Sequence, residues 1–257
     1  MVKLTIDNKK IEVEEGATLL EAAQKLGIEI PTLCHHPALK PYGACRVCLV
    51  EVIKGSRPGL VASCTYPAEE GLIAKTNTKR VKRARRLSIE LLLARCPTSE
   101  KVRELALELG VKKTRFKEEE EECILCGLCV RVCEEMIGKS AISFVNRGAD
   151  REVTTPFKIE SSECIGCGAC AYLCPTEVIK IEDVIKYRKL DFWNTKLELK
   201  KCKVCGKYFI PVVELEYLRE KIKSFEEIEL PEEALEVCPK CRRRILSDKA
   251  REFIGGS

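Results

Sequence analysis

Seventeen cysteines in 257 residues constrain this chain more than any other feature. They read Cys34, Cys45, Cys48, Cys64; Cys96 alone; Cys123, Cys126, Cys129, Cys133; Cys164, Cys167, Cys170, Cys174; and Cys202, Cys205, Cys238, Cys241. Sixteen therefore fall into fours, the number of thiolates that completes an iron–sulfur cluster or a closed zinc site. Disulfides are the competing use, but paired C-x2-C spacing and an odd total argue for metal. Met1 leads directly into the alternating Val2-Lys3-Leu4-Thr5-Ile6 with no apolar signal core, and no apolar run reaches the length of a membrane span. The expectation is a cytoplasmic protein, where thiols stay reduced and no membrane is engaged. One Gln and four Asn amid abundant Lys and Glu hint at a thermophile.

The two central runs are the strongest signal. Cys123-Ile124-Leu125-Cys126-Gly127-Leu128-Cys129 with Cys133, and Cys164-Ile165-Gly166-Cys167-Gly168-Ala169-Cys170 with Cys174-Pro175, are both C-x2-C-x2-C-x3-C. This resembles the bacterial two-cluster ferredoxins, in which the fourth cysteine of each run ligates the other cluster. The resemblance implies one [4Fe–4S] cluster on Cys123, Cys126, Cys129 and Cys174 and a second on Cys133, Cys164, Cys167 and Cys170. The fourth cysteine is expected to begin a helix that crosses to the partner cluster. Gly166 to Ala171 satisfies a loose dinucleotide fingerprint, but its interior positions are cluster ligands. Neither flavin nor NAD is expected to bind.

Residues 1–76 read as a strand, a hairpin and a helix opened by a Thr18/Glu21 capping box and ended at Gly27, then a cysteine-bearing loop. That is the order of a β-grasp ferredoxin. Ten residues separate Cys34 from Cys45 and fifteen separate Cys48 from Cys64, a longer first gap than in plant-type ferredoxins. With Tyr42-Gly43-Ala44-Cys45-Arg46-Val47-Cys48, the segment is similar to the [2Fe–2S] domain of the largest peripheral iron–sulfur subunit of respiratory complex I and of NAD-linked hydrogenases and formate dehydrogenases. The implied ligands are Cys34, Cys45, Cys48 and Cys64, with Gly43 letting backbone approach the cluster. His35 and His36 follow Cys34 but lie on one loop, unlike Rieske ligands, and read as neighbours of the site or surface residues.

Residues 77–116 read as a helical linker. A helix over 78–94 places Val81, Ala84, Leu87, Leu91 and Ala94 on an apolar stripe and Lys79, Arg80, Lys82, Arg83, Arg85 and Arg86 on a basic face. Without interleaved aromatics or a recognition fold, and at a net charge of only +5, that face reads as a solvated face or a docking face for an acidic partner subunit ahead of nucleic acid. In the complex I and iron-only hydrogenase families such a helix leads into a cluster motif of one histidine and three cysteines. Here only Cys96 is present, so that cluster is expected to be absent and Cys96 to be structural.

The tail, 186–257, carries Cys202-Lys-Val-Cys205 and Cys238-Pro-Lys-Cys241 across 32 residues, with helices expected around Val213 to Ile222 and from Pro231. Two such knuckles read as a zinc ribbon; a third [4Fe–4S] cluster uses the same ligands. The expected fold is thus α+β: a β-grasp [2Fe–2S] domain (1–76), the linker (77–116), a two-[4Fe–4S] ferredoxin-like domain (117–185) and a zinc-ribbon-like domain (186–257). The resemblance over residues 1 to 185 implies an electron-relay subunit of a soluble, NAD(P)-linked and even electron-bifurcating hydrogenase or formate dehydrogenase. A flavoprotein partner would handle NAD(P)H, and the hydrogen- or formate-activating site would lie on a separate catalytic subunit, leaving no catalytic residue here. An iron–sulfur redox sensor and a free-standing oxidoreductase are the alternatives, opposed by the number of clusters and by the lack of an open metal position.

Overall fold

The computed structural model describes residues 1–224 and 235–255, with side chains in the second stretch through 247. Strands β1 (Val2–Ile6), β2 (Lys9–Val13), β3 (Leu49–Lys54), β4 (Gly59–Ala62) and β5 (Ile73–Lys75) form one mixed sheet in the order β2-β1-β5-β3-β4. Only β1 and β5 run parallel. Alternation puts Leu4, Ile6, Val13, Val50 and Val52 on the inner face. Helix α1 (Leu19–Lys25) covers it with Leu19, Leu20, Ala22 and Ala23. The Thr18 capping box is formed as read: Thr18 N–H donates to Glu21 Oε2 at 2.7 Å and Glu21 N–H donates to Thr18 Oγ1 at 3.2 Å.

Helix α2 (Lys79–Arg95), capped by Thr78, packs against α3 (Glu100–Glu108) and β3. Its buried stripe differs from the sequence expectation. Val81, Arg85, Ile89, Leu93 and Ala94 face inward, whereas Leu87 and Leu91 are 45% and 50% exposed. The helix has partners on two sides, which rotates the buried face away from the most apolar stripe. Arg85, assigned to the basic face, is buried instead and donates from Nε to the Leu49 carbonyl at 2.8 Å, tying α2 to β3.

Beyond the linker come α4 (Leu128–Arg131), continued by a π-helical turn over Val132–Met136, and the hairpin β6 (Ser143–Val145) with β7 (Glu152–Thr154). Helix α5 (Ala169–Tyr172) follows. Strands β8 (Glu182–Val184), β9 (Tyr187–Leu190), β10 (Thr195–Lys201) and β11 (Tyr208–Pro211) make an antiparallel sheet in the order β11-β10-β9-β8. Helix α6 (Val212–Lys223) matches the first helix read in the tail; α7 spans Pro239–Gly255. The helix read from Pro231 begins outside the described residues. No helix among the described residues is long and apolar enough to cross a membrane.

Candidate iron–sulfur and metal centres

Four cysteines converge between the β-grasp sheet and the linker, and all four are buried. The loop after α1 brings Cys34 to Cys45, whose backbone N–H donates to Cys34 Sγ at 3.4 Å. Cys48 and Cys64, at the two ends of the β3–β4 hairpin, stand sulfur to sulfur at 3.4 Å. Gly43 shapes the loop: its φ is +74°, a left-handed backbone that strains any other residue, and a Cβ there would press on Thr65 Cγ2 at 3.0 Å beside the Cys64 turn. The four thiols share protons unevenly. Hydrogen bonding from Cys45 and Cys64 holds Cys34 far below the usual thiol range, and Cys64 likewise draws Cys48 down to about 6. Cys45 and Cys64 are correspondingly pushed up. Such a buried, proton-sharing set of soft donors suits a cationic iron centre, which replaces the protons. His35 is half-buried beside it, its imidazole pKa lowered by burial, and His36 Nδ1 accepts from the Ala38 N–H; neither enters the quartet.

The two central runs interlock. Cys123, Cys126, Cys129 and Cys174 line one cavity, and Cys133, Cys164, Cys167 and Cys170 line another. Each cavity therefore takes three cysteines from one run and one from the other. Gly127 and Gly168, at φ +73° and +81°, start α4 and α5 just before the third cysteine of each run. The fourth cysteine consequently does not begin a helix, as the spacing suggested. Cys133 lies in the π-helical turn that ends α4, and Cys174 lies just beyond α5. The crossing is achieved all the same, because each short helix spans from its own cavity to the other. Burial pushes up the thiols of Cys123, Cys126, Cys129, Cys164, Cys167 and Cys170, that of Cys126 to about 12 and that of Cys170 to about 11, so proton-bearing sulfur is favoured at these six until a cation enters. Backbone N–H groups already point at sulfur, from Leu125 to Cys123 at 3.4 Å and from Ala141 to Cys133 at 3.3 Å.

Cys96 joins no quartet. It is fully buried with Leu33, Ile89, Leu93 and Val102, and burial pushes its thiol up to about 12.

In the tail, Cys202 and Cys205 occupy the turn between β10 and β11, Cys238 immediately precedes α7 and Cys241 lies in its first turn. The four sulfurs lie within 4.8 Å of one another, with Cys205 and Cys238 at 3.8 Å. Glu236 holds the second pair in place by accepting from Arg219 at 2.6 Å while standing 3.3 and 3.4 Å from the Lys200 and Lys203 ammonium groups. Burial raises the Cys202 thiol, but N–H groups of Cys205, Cys238 and Val204 outweigh this and bring it to about 6. All seventeen cysteines are free of disulfides.

Three joints, none of them apparent in the cysteine spacing, fix the quartets relative to one another. Arg131 of α4 donates from Nη2 to the Cys34 carbonyl at 2.7 Å, and its guanidinium lies 5.3 Å over the Tyr42 ring. Tyr42 in turn stacks on Phe144 at 6.1 Å. Arg188 of β9 donates from Nη1 to the Gly166 carbonyl at 2.9 Å and pairs with Asp183 at 2.8 Å, locking the four-stranded sheet onto the second central loop. Tyr217 of α6 donates to the Ile137 carbonyl at 2.7 Å.

Residues 1–79 match the family described as "2Fe-2S iron-sulfur cluster binding domain", and residues 122–178 match the "4Fe-4S dicluster domain". The chain is 36% identical over 180 residues to the NADH-ubiquinone oxidoreductase 75 kDa subunit of Reclinomonas americana, covering 60% of this chain and 26% of that protein. It is 33% identical over 181 residues to the mitochondrial NADH-ubiquinone oxidoreductase 78 kDa subunit of Neurospora crassa, covering 60% of this chain and 24% of the relative. It thus spans about a quarter of the length of these curated relatives. Among solved structures, an NAD+-reducing [NiFe]-hydrogenase in the H2-reduced state superposes with a TM-score of 0.54 at 31% identity, over 60% of this chain and 74% of that one.

Proposed function

We propose that this chain, which belongs to the family of iron–sulfur electron-transfer subunits related to the complex I 75 kDa subunit and to NAD+-reducing [NiFe]-hydrogenase, holds one [2Fe–2S] and two [4Fe–4S] clusters and relays single electrons between partner subunits. The observation that carries the reading is the pair of cavities in which three cysteines of one run meet the fourth of the other, beside a third buried quartet. The proposed ligands are Cys34, Cys45, Cys48 and Cys64 for [2Fe–2S], Cys123, Cys126, Cys129 and Cys174 for the first [4Fe–4S], and Cys133, Cys164, Cys167 and Cys170 for the second. The proposed domains are 1–76, 77–116, 117–185 and 186–257.

When bound, iron–sulfur clusters supply one-electron carriers. The protein contributes fixed spacing, through Arg131, Arg188 and Tyr217, and a dry setting in which Ile124, Ile142, Ile179 and Leu190 exclude water. Backbone N–H donors at Cys34, Cys123 and Cys133 stabilise negative sulfur.

For Cys202, Cys205, Cys238 and Cys241 we favour a structural zinc. Tetrahedral Zn–S bonds of about 2.3 Å put sulfurs about 3.8 Å apart, and Cys205 and Cys238 stand at 3.8 Å. A cubane, with an iron at each corner, spreads its thiolates farther.

The proposed partners are a flavoprotein subunit that oxidises NAD(P)H and a hydrogenase or formate dehydrogenase catalytic subunit, in the cytoplasm. Lys79, Lys82 and Arg83 remain exposed on α2 as a docking face, whereas Arg85 is buried, Arg80 pairs with Glu51 at 3.1 Å and Arg86 donates from Nε to the Leu109 carbonyl at 2.9 Å. The test is reduction of the anaerobically isolated chain. Dithionite should bleach its visible absorption and NADH alone should not; the flavoprotein partner should restore NADH reduction at a rate that falls with salt. Direct reduction by NADH would defeat the relay reading.

A further inference from the structure

Trp193 is the single tryptophan of the chain. It ends the 3-10 turn Asp191–Trp193 between β9 and β10, and it is 1% exposed. Its ring is a wall of both central cavities at once. The turn is well fixed: Thr195 Oγ1 donates to the Trp193 carbonyl at 3.0 Å, and the Phe192 ring meets the indole edge-on at 4.8 Å. Yet the indole Nε1, buried and able only to donate, has no hydrogen-bond partner among the described residues. Buried donors are seldom left so, and an orphan beside a cofactor cavity points to an acceptor that belongs in the cavity. Cys170 packs against the buried cluster that contains Trp193, and the two residues line the second cavity together.

We propose that Trp193 donates its indole N–H to the sulfur of the second [4Fe–4S] cluster at Cys170 and so raises the reduction potential of that cluster. The inference rests on the ligand assignment given above. One added electron increases negative charge on cluster and thiolate sulfur, and a fixed N–H donor in a dry pocket stabilises the reduced form more than the oxidised one. Phe192, on the same turn, lines only the first cavity and carries no donor, so the turn treats the two clusters differently. Trp193 acts here as a positioning and tuning residue and is not a ligand.

The test is an anaerobic redox titration of the full chain followed by EPR, wild type against Trp193→Phe, with the second-cluster signal assigned by its change in Cys167→Ser. At the potential that half-reduces the wild-type second cluster, the variant should show about a five-fold lower reduced-to-oxidised ratio, equivalent to ~40 mV for a one-electron couple. The first cluster should change by less than about two-fold on the same scale. An unchanged ratio, or an equal shift of both clusters, which would report opened packing, overturns the proposal. Should Trp193→Phe lose iron, wild-type protein grown with 15N-tryptophan decides the matter. Pulsed EPR of the reduced second cluster should show one 15N coupling, and its absence overturns the inference. Failure of the ligand assignment is separate, because Cys167→Ser would then leave every [4Fe–4S] signal intact.

Discussion

Arg131 and Cys34 are 97 residues apart in sequence, yet the guanidinium of one donates to the backbone carbonyl of the other at 2.7 Å in a buried position. Arg131 lies between the third and fourth cysteines of the first central run, and Cys34 opens the β-grasp quartet. One side chain therefore fixes the separation and orientation of two proposed redox centres. Replacing Arg131 with Gln should destabilise the joint by about 2 kcal/mol, the usual range for a hydrogen bond to a charged group. Thermal loss of cluster absorbance should shift to lower temperature while iron content at isolation stays unchanged. An unaltered melting profile would show that the joint is held elsewhere.

Metal content follows from the quartets. Anaerobically isolated chain should carry about ten irons, two in the [2Fe–2S] and four in each [4Fe–4S] centre, together with one zinc. Iron near fourteen with no zinc, by elemental analysis, would reassign Cys202, Cys205, Cys238 and Cys241 to a cluster.

The tail site has a proton signature as well. With the Cys202 thiol drawn down to about 6 and that of Cys241 pushed up to about 12, the zinc-free site at pH 7.5 is already part thiolate. Zinc uptake should release fewer than four protons per ion, measurable by titration in weak buffer. A thiol lowered in the folded state contributes stability above its unfolded value, and that contribution is lost as pH falls through about 6. Zinc retention should weaken in the same direction.

The sequence made the cysteine groups legible because ligand spacing is local, and the capping box at Thr18 and Glu21 was legible for the same reason. The inter-unit contacts were not. Arg131 and Arg188 read as ordinary charges until the fold places backbone carbonyls of Cys34 and Gly166 before them. Helix α2 shows the opposite limit: a helical period was visible, but the burial of Arg85 and the exposure of Leu87 depend on α3 and β3, which periodicity cannot see. Trp193 carried no motif at all; only its place between two cavities gives it meaning.

Cys96 provides a control on ligand assignment. It is fully buried in an apolar cluster, so Cys96→Ala should cost about 1 kcal/mol by lost packing. Iron content and reduced-state EPR should be retained. Cys126→Ala should remove a [4Fe–4S] signal. Loss of iron on changing Cys96 would mean that a quartet has been drawn wrongly.

Gly166 tests whether the C-terminal sheet protects the second central site. Its φ is +71°, and a Cβ there would lie 2.6 Å from Leu197 Cδ1 and 3.0 Å from Pro211 Cγ, both in strands of that sheet. Gly166→Ala therefore combines a left-handed backbone with overpacking, roughly 1–3 kcal/mol from the latter alone. The loop is the stiffer partner, since Cys164 and Cys167 on either side of Gly166 are proposed ligands, so the sheet should yield. Separation would strain the Arg188 bond to the Gly166 carbonyl and open the cavity to water. The expected result is a second cluster that bleaches several-fold faster in air, with the [2Fe–2S] absorption decaying at its wild-type rate. Equal acceleration of all centres would indicate general unfolding, and an unchanged bleaching rate would remove any protective role from the sheet.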